Sequence, residues 1–457
     1  MKKNYSPWLY QLRKDRVNHG LQHDIEADVA IVGAGIAGMS TAFFSLKNSH
    51  RKKIILIEKY KLAHGATGHN AGQVVSYFER GFASLVDEFG LKLATEGQKA
   101  VEDAWELIDE MYTEAGLNIP FSRFMGHAGL ASYEQVMLHL RNNLLRKEGG
   151  LNTEQILISQ SAEFLHTISS EYRSLYRAVP HEYIRELLET KTDDFVGVIS
   201  YQKGCVNSAL FCEEILLYLL KKYPDRFSLY EHTSINKVIL CHEGALLDGG
   251  KHTITAKKVV LCTNGFEGVT IINESGLDVN TKFHHLVHGT VGYMSGYLEK
   301  MNKPPIAISY LTDPDPSTND PYFYLTRRIY EYESDKDVNL ISIGGPEIDL
   351  EDHREYSHEE GYPEEMTDKI NEFVRHTYDP DPNKKIEYIF TWHGLMGYTQ
   401  NGVRLIGEEP KNNVLLYNLG CNGVGILPSV YGGKRISEIL AGKRVDKSIF
   451  DVPHVYH

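Results

Sequence analysis

The chain has 457 residues, 42% apolar and 24% charged, with a formal net charge of −13. At roughly 150 residues per domain this makes about three domain-sized units or two larger ones, with ample material for a core, and it excludes a disordered, collagenous or disulfide-stapled chain. The acidic balance repels phosphate backbones and anionic bilayers, so neither nucleic acid nor a polybasic membrane contact is an expected partner.

The five cysteines, Cys205, Cys212, Cys241, Cys262 and Cys421, are scattered and odd in number, and none forms a CxxC pair. Reduced thiols in a cytoplasmic protein are expected, not a disulfide framework or a zinc site. The opening MKKNYSPWLYQLRKDR has no apolar run behind its lysines, so no signal peptide is expected. The uncharged stretch 29–46 has the length of a membrane span. Gly33, Gly35, Gly38, Ser40, Thr41 and Ser45 punctuate it, and strand–turn–helix is the better reading.

Residues 28–32 (DVAIV) form an apolar run that opens into Gly33, as a buried parallel strand does. Helical spacing follows through Met39, Phe43 and Leu46, and residues 53–58 (KIILIE) give a second buried strand, completing a βαβ unit. After Gly90 the character changes. Residues 91–115 put Ala100, Ala104, Leu107, Ile108 and Met111 on one helical face, and helical spacing recurs at 136–145 and 184–188, which predicts an α-rich insertion. Ser208 is the predicted cap of a helix over 209–222, followed by strands at 227–229 and 235–240, a hairpin through Gly249-Gly250 and an apolar strand at 258–262. From 281 to 390 short β-like runs (290–293, 322–326, 340–343) alternate with acidic loops. The loop 352–365 reads as solvated surface before a helix at 364–377, and the chain closes with a strand at 414–419 and a helix near 430–440.

Gly33-Ala34-Gly35-Ile36-Ala37-Gly38 is GxGxxG between a strand and a helix. Gly33 permits the tight turn, Gly35 lets backbone N–H groups approach a pyrophosphate, and Gly38 lets the helix pack close to the strand. The helix N-terminus offers unpaired donors to that anion. Glu58, followed by Lys59, closes the second strand about 20 residues later, where a carboxylate can bind both ribose hydroxyls and repel a 2′-phosphate. These residues leave NAD and FAD both open.

The segment Gly65-Ala66-Thr67-Gly68-His69-Asn70-Ala71-Gly72-Gln73 resembles the loop after the second strand in flavoproteins of the D-amino acid oxidase/glycine oxidase/sarcosine oxidase superfamily. KVVLCTNG (258–265), GLMGYT (394–399) with Leu405-Ile406-Gly407, and Gly420-Cys421-Asn422-Gly423-Val424-Gly425 resemble further pieces of the same family, in the family's order. Pro7-Trp8 and Leu21 look most like the amine-oxidising branch that includes gamma-glutamylputrescine oxidase. The resemblance implies an α/β fold: a Rossmann-like FAD-binding domain, discontinuous over 25–90, 196–270 and 391–445, and a mixed-sheet α+β substrate domain with helical insertions over 91–195 and 271–390. Residues 1–24 and 446–457 are then an extension and a tail. It also implies FAD contacts at the GxGxxG turn, Glu58, Lys59, residues 67–73, Val238, Thr263, Asn264, Gly265, Gly397, Gly420, Asn422, Gly423, Val424, Gly425 and Ile426. A helix N-terminus beside the flavin pyrimidine would stabilise negative charge on the reduced ring.

No second GxGxxG follows a later strand, so electrons are expected from a substrate CH–NH or CH–OH bond and leave to oxygen or a carrier. Met396 stands where glycine and D-amino acid oxidases carry a carboxylate-gripping arginine and near the position of the flavin-linked cysteine of monomeric sarcosine oxidases; it can serve neither role. His69 stands where many relatives place arginine and where dimethylglycine and sarcosine dehydrogenases have a flavin-linked histidine. Noncovalent FAD is expected, with attachment through His69 the alternative. On the substrate side the resemblance points to His285, His288, Tyr293, Tyr324, Arg327, Arg328, Trp392 and Tyr398. Aromatics would shape an amine pocket, His288 would help deprotonate the amine, and Arg327 or Arg328 would bind a distal carboxylate. His284-His285…His288 lacks a neighbouring carboxylate or cysteine, so no metal is expected. The expected reaction is oxidation of the C–N bond of an amine or amino acid by hydride transfer to flavin N5, then imine hydrolysis. A 2-hydroxy acid dehydrogenase and a non-catalytic flavin-binding protein are the alternatives.

Overall fold

The computed structural model describes residues 3–265, 268–312, 322–333, 335–351, 356–378 and 386–453. Residues 352–355 of the acidic loop and the tail from 454 lie outside the described residues.

Two sheets organise the chain. The first has nine strands. At its centre Ile25–Val32 pairs in parallel with Ile54–Ile57 on one side and Thr253–Leu261 on the other, with Val29 opposite both Ile54 and Lys258. Every side chain of Ile54–Ile57 is buried, which is why IILI is continuously apolar instead of alternating. Asn412–Leu419 continues the sheet in parallel through Val259↔Leu415. Helix Ile36–Asn48 packs on this sheet and against helix Ile426–Leu440. A Cβ at Gly433 would come within 2.6 Å of the Ser40 carbonyl carbon, so the two helices touch backbone to backbone.

The second sheet has ten strands, in the order Phe390–Thr399, Val287–Lys300, Asp335–Leu350, Phe323–Tyr332, Ile306–Leu311, Phe121–Leu130, Gly197–Val206, Gln155–Ser159 and Tyr176–Val179, with Gln73–Val75 added to Gly197–Val206. Gln73–Val75, Gly197–Val206 and Phe390–Thr399, which the sequence-drawn boundaries give to the FAD domain, thus pair in the second sheet. The short β-like runs of 290–293 and 340–343 are pieces of much longer antiparallel strands. A bulge opposite Gly292 and Met294 puts its extra residue between Gly344 and Glu347, so the period-2 pattern breaks on the second of them.

Helix Phe82–Ala115 is interrupted at Gly90 (φ 79°, ψ 155°), where the composition changes. Helix Ser208–Lys222 is capped by Asn207, not Ser208. The Asn207 side-chain oxygen accepts from the N–H groups of Ala209 (3.1 Å) and Leu210 (3.0 Å), while the Ser208 hydroxyl donates to the Thr67 carbonyl at 2.6 Å. The five cysteines are free, and no helix among the described residues is long and apolar enough to cross a membrane.

Candidate active site

A cavity of about 1590 Å³ opens between the two sheets. A single small ligand takes roughly 300–1,000 Å³, so there is room for a dinucleotide and a substrate together.

At one end the GxGxxG turn lines the cavity through Gly33, Gly35, Ile36 and Ala37, beside Glu58 and Lys59. Gly33 has φ 103°, and a Cβ there would lie 2.6 Å from the Cys262 carbonyl oxygen. Gly38 does not line the cavity; a Cβ on it would strike the Gly33 carbonyl, so it serves the close packing of helix on strand. The Glu58 carboxylate accepts from Ala34 N–H (2.8 Å) and Tyr60 N–H (2.9 Å), which fixes it at the strand end. Thr67 Oγ1 accepts from Ile36 N–H at 3.0 Å, tying the next loop to the helix start.

Thr67, His69, Asn70, Ala71 and Gln73 of that loop line the cavity; Gly68 and Gly72 do not. The N-terminal segment clamps this loop from behind. Trp8 is 0% exposed, its Nε1–H donates to the Asn70 carbonyl (2.5 Å), and its ring lies against Gly72, where a Cβ would approach it to 2.7 Å. Trp392 Nε1–H donates to the same carbonyl at 3.2 Å, so this residue supports the loop and not the substrate wall. His69 hydrogen-bonds through Nδ1 to the Gly65 carbonyl oxygen (3.0 Å) and stacks on His358 at 4.9 Å. Desolvation, reinforced by His358, pushes its pKa down to about 3, so the ring is neutral.

Thr263 and Asn264 line the cavity, and Thr263 Oγ1 is buried without a hydrogen-bond partner among the described residues. Gly265 (φ 91°) turns the chain against Val287 instead. Asn422, Gly423, Val424, Gly425 and Ile426 line the cavity at the start of helix Ile426–Leu440, whose cap, Gly425, supplies no side-chain acceptor. Gly397 and Gly420 stand behind this wall: Gly397 N–H donates to Cys421 Sγ (3.3 Å), and Gly420 packs on Thr399. Val238 lies in the apolar core of the first sheet; Thr233 and Ile235, just before it, reach the cavity in its place.

The substrate-side expectations divide. His288, Tyr324 and Tyr398 line the cavity, with His288 stacked on Tyr398 at 5.7 Å. Tyr293 does not: strand alternation turns His288, Thr290 and Gly292 inward and sends Tyr293 towards Tyr362 and His393. His285 is absent from the wall as well. Arg327 is not brought to the cavity either. It sits on the far face of its strand, in a bidentate pair with Glu189 (2.9 and 2.7 Å), and donates through Nε to the Pro304 carbonyl (2.8 Å). Arg328 is buried with its guanidinium 4.9 Å from the Trp8 ring.

The sequence reading passed over the most charged part of the wall. Glu79 and Glu347 line the cavity with Asp349 and the rings of Tyr77, Tyr201, Tyr322 and Tyr324. Tyr322 O–H donates to the Glu79 carboxylate at 3.2 Å. Desolvation by the enclosing wall pushes Glu79 up to about 6; desolvation, with Glu79 and Asp349 as like charges, pushes Glu347 up to about 7. Behind Gln73 and Ser309, Lys203 is 0% exposed, with its ammonium 3.2 Å from Ser309 Oγ and 3.4 Å from Gln73 Oε1; burial pushes it down to about 7. Both glutamates fall in stretches with no clean period, so the sequence carried no signal for them beyond the neighbouring tyrosines. No group of three or more His, Cys, Asp or Glu able to hold a metal occurs among the described residues.

The chain matches the model of the FAD-dependent oxidoreductase family over residues 28–439. It is similar to the probable oxidoreductase OrdL of Haemophilus influenzae (29% identity over 111 residues, 24% of this chain and 25% of that protein). It is also similar to YhfW of Bacillus subtilis (32% over 94 residues, 21% of this chain and 18% of that protein). The matched segments are thus a quarter or less of these curated relatives. Among solved structures, glycine oxidase from Geobacillus kaustophilus superposes with a TM-score of 0.67 at 17% identity, covering 95% of this chain and 100% of that one. L-proline dehydrogenase from P. horikoshii gives 0.64 at 14% identity, covering 93% and 95%.

The chain therefore belongs to the FAD-dependent oxidoreductase family, and its fold is that of the glycine oxidase group. The residues present fit FAD: a turn with no room for a Cβ, a carboxylate at the second strand's end, an orphaned hydroxyl at Thr263 and two helix N-termini on one cavity.

Proposed function

We propose that the protein oxidises the C–N bond of an amine. The observation that carries this reading is the character of the wall beyond the dinucleotide end: tyrosine rings and carboxylates, with no guanidinium among the described residues left for a substrate carboxylate. The arginines on the described wall are all engaged. Arg80 binds Glu88 and the Asn401 carbonyl, Arg146 binds Glu102 and the Asn152 carbonyl, and Arg404 binds the carbonyls of Asn418 and Gly420.

Bound noncovalently, FAD would supply the two-electron acceptor for the C–H bond beside the substrate nitrogen. The N-terminus of helix Ile36–Asn48 would hold its pyrophosphate and Glu58 a ribose. Residues 67–73 and 422–426 would border the ring system. Tyr324, Tyr398 and Met396 shape the space beside it and keep water from the reacting carbon. His288, on the same wall, can exchange a proton with the amine. The free thiols suit a reducing, cytoplasmic setting.

The test is anaerobic mixing of the FAD-loaded protein with matched panels of amines, α-amino acids and 2-hydroxy acids, with flavin absorbance as the readout. Amines are expected to bleach the flavin fastest. Bleaching by 2-hydroxy acids alone would replace the reading with a hydroxy acid dehydrogenase.

A further inference from the structure

The cavity holds a pair of carboxylates for which nothing so far has given a use. Glu79 lies directly against the glycine turn before helix Ile426–Leu440: a Cβ on Gly423 would come within 2.8 Å of Glu79 Cγ and 3.0 Å of Tyr398 Oη. Glu347 faces the same space from the second sheet, 4.0 Å from where a Cβ on Gly292 would stand, beside Met396. The two acids thus meet at the site from different elements, the segment after strand Gln73–Val75 and strand Asp335–Leu350, close enough for Glu79 to act on Glu347 as a like charge.

The groups facing them come from every adjoining element. Tyr322 O–H donates to Glu79, and Lys203, from strand Gly197–Val206, acts on it as a favourable charge. Tyr77 and Tyr201 border Glu79; Tyr324, Tyr398 and Asp349 border Glu347; His288, on the same wall, stacks on Tyr398. Asp349 already accepts the Thr290 hydroxyl at 2.6 Å. An aliphatic amine reaches this wall as an ammonium ion, since its pKa is near the ~10.4 of lysine. It must lose one proton before its nitrogen lone pair can assist loss of hydride from carbon. Two carboxylates between aromatic faces attract the cation and offer it an acceptor.

Resting on the amine-oxidation reading, we propose that Glu347 and Glu79 together accept the proton of the substrate's ammonium group, so that the amine enters charged and is made neutral in place. The N–H bond breaks, its electron pair stays on nitrogen, and an O–H bond forms on a carboxylate. The proton returns to solvent when the product leaves.

The experiment is the pH profile of kcat/KM for the fastest amine of the panel and for its β-fluorinated analogue, whose ammonium is more acidic. With the carboxylate pair as acceptor the profile is a bell. It rises through pH 6–7 as the pair ionises and falls above the substrate's own pKa, so the falling limb moves to lower pH with the fluorinated amine. A protein that admits only free amine shows no fall: kcat/KM climbs tenfold per pH unit to the substrate's pKa and then stays level, and that outcome overturns the proposal. Glu347→Gln and Glu79→Gln are expected to lower kcat/KM at pH 7 by roughly 10²–10⁴-fold. Binding of the N,N,N-trimethyl analogue, read from the flavin spectrum, should weaken about tenfold in each. Variants that keep the wild-type profile and affinity overturn the proposal independently. If no amine bleaches the wild-type flavin, the amine reading itself fails, an outcome distinct from these.

Discussion

Replacing Arg327 with Met separates its observed placement from a role at the substrate. Its guanidinium meets Glu189 through two hydrogen bonds of 2.9 and 2.7 Å, with the arginine side chain 4% and the glutamate 23% exposed. Removing one partner of a buried pair costs about 3–5 kcal/mol, because the other charge is left without compensation. Lys303 also reaches Glu189, at 3.1 Å, so the lower end, about 3 kcal/mol, is expected for Arg327→Met. Arg327→Met/Glu189→Met should recover most of that loss, because no charge is then stranded. A denaturant titration of the two single variants and the double variant measures the coupling. In the same preparations FAD content and KM should stay within about twofold of wild type, because Arg327 lies on the sheet face opposite the cavity. A tenfold rise in KM with unchanged stability would refute the placement and return Arg327 to the substrate.

Trp8→Ala removes the clamp behind residues 67–73; the protein should emerge from gel filtration depleted of FAD, while added FAD restores colour only weakly. Glu347→Gln acts on the stability of the FAD-free protein through linkage. The folded-state carboxyl titrates near 7 against 4.5 for an unperturbed group, so the wild type carries a penalty that is absent below pH 4.5, grows as pH rises and is complete above 7. Thermal melts should show the variant more stable than wild type at pH 8 and equal to it near pH 4. Acid precipitation should leave the flavin colour in the supernatant; colour kept in the pellet would establish a covalent link and point to His69.

The first sheet was legible because its signals are local. DVAIV, the glycine turn and KIILIE lie within one short stretch, and a strand buried on both faces must be apolar throughout. At the dinucleotide end of the cavity the turn, Glu58 and residues 67–73 likewise belong to one continuous stretch of chain and are tied to one another by hydrogen bonds within it. Val238 was misplaced by only a few residues, because an apolar run does not reveal where its strand turns from core towards cavity. Asn207 was passed over for Ser208 because both are good caps; what decides is that the Ser208 hydroxyl is already donated to Thr67, far away in the chain.

The substrate wall depends on pairings that no local pattern records. Glu79 follows the short strand Gln73–Val75, Lys203 lies on Gly197–Val206, and Glu347 lies on Asp335–Leu350. They meet only because Gln73–Val75 pairs with Gly197–Val206 and the long antiparallel strands wrap round to the other side. In sequence each looks like an ordinary solvated charge, since glutamate and lysine are almost never buried without a partner. Side-chain alternation then decides which members of a strand take part. One residue of register separates His288, on the cavity, from Val287, in the core of the first sheet, and the same alternation carries Tyr293 away from the cavity while Met294 returns to it. Residue type alone made Arg327 a candidate for a charge at the substrate and left Glu347 unnoticed. The sheet reverses that order: Arg327 points towards Glu189 on the far face, and Glu347 is held against the cavity with Glu79 as its opposite number.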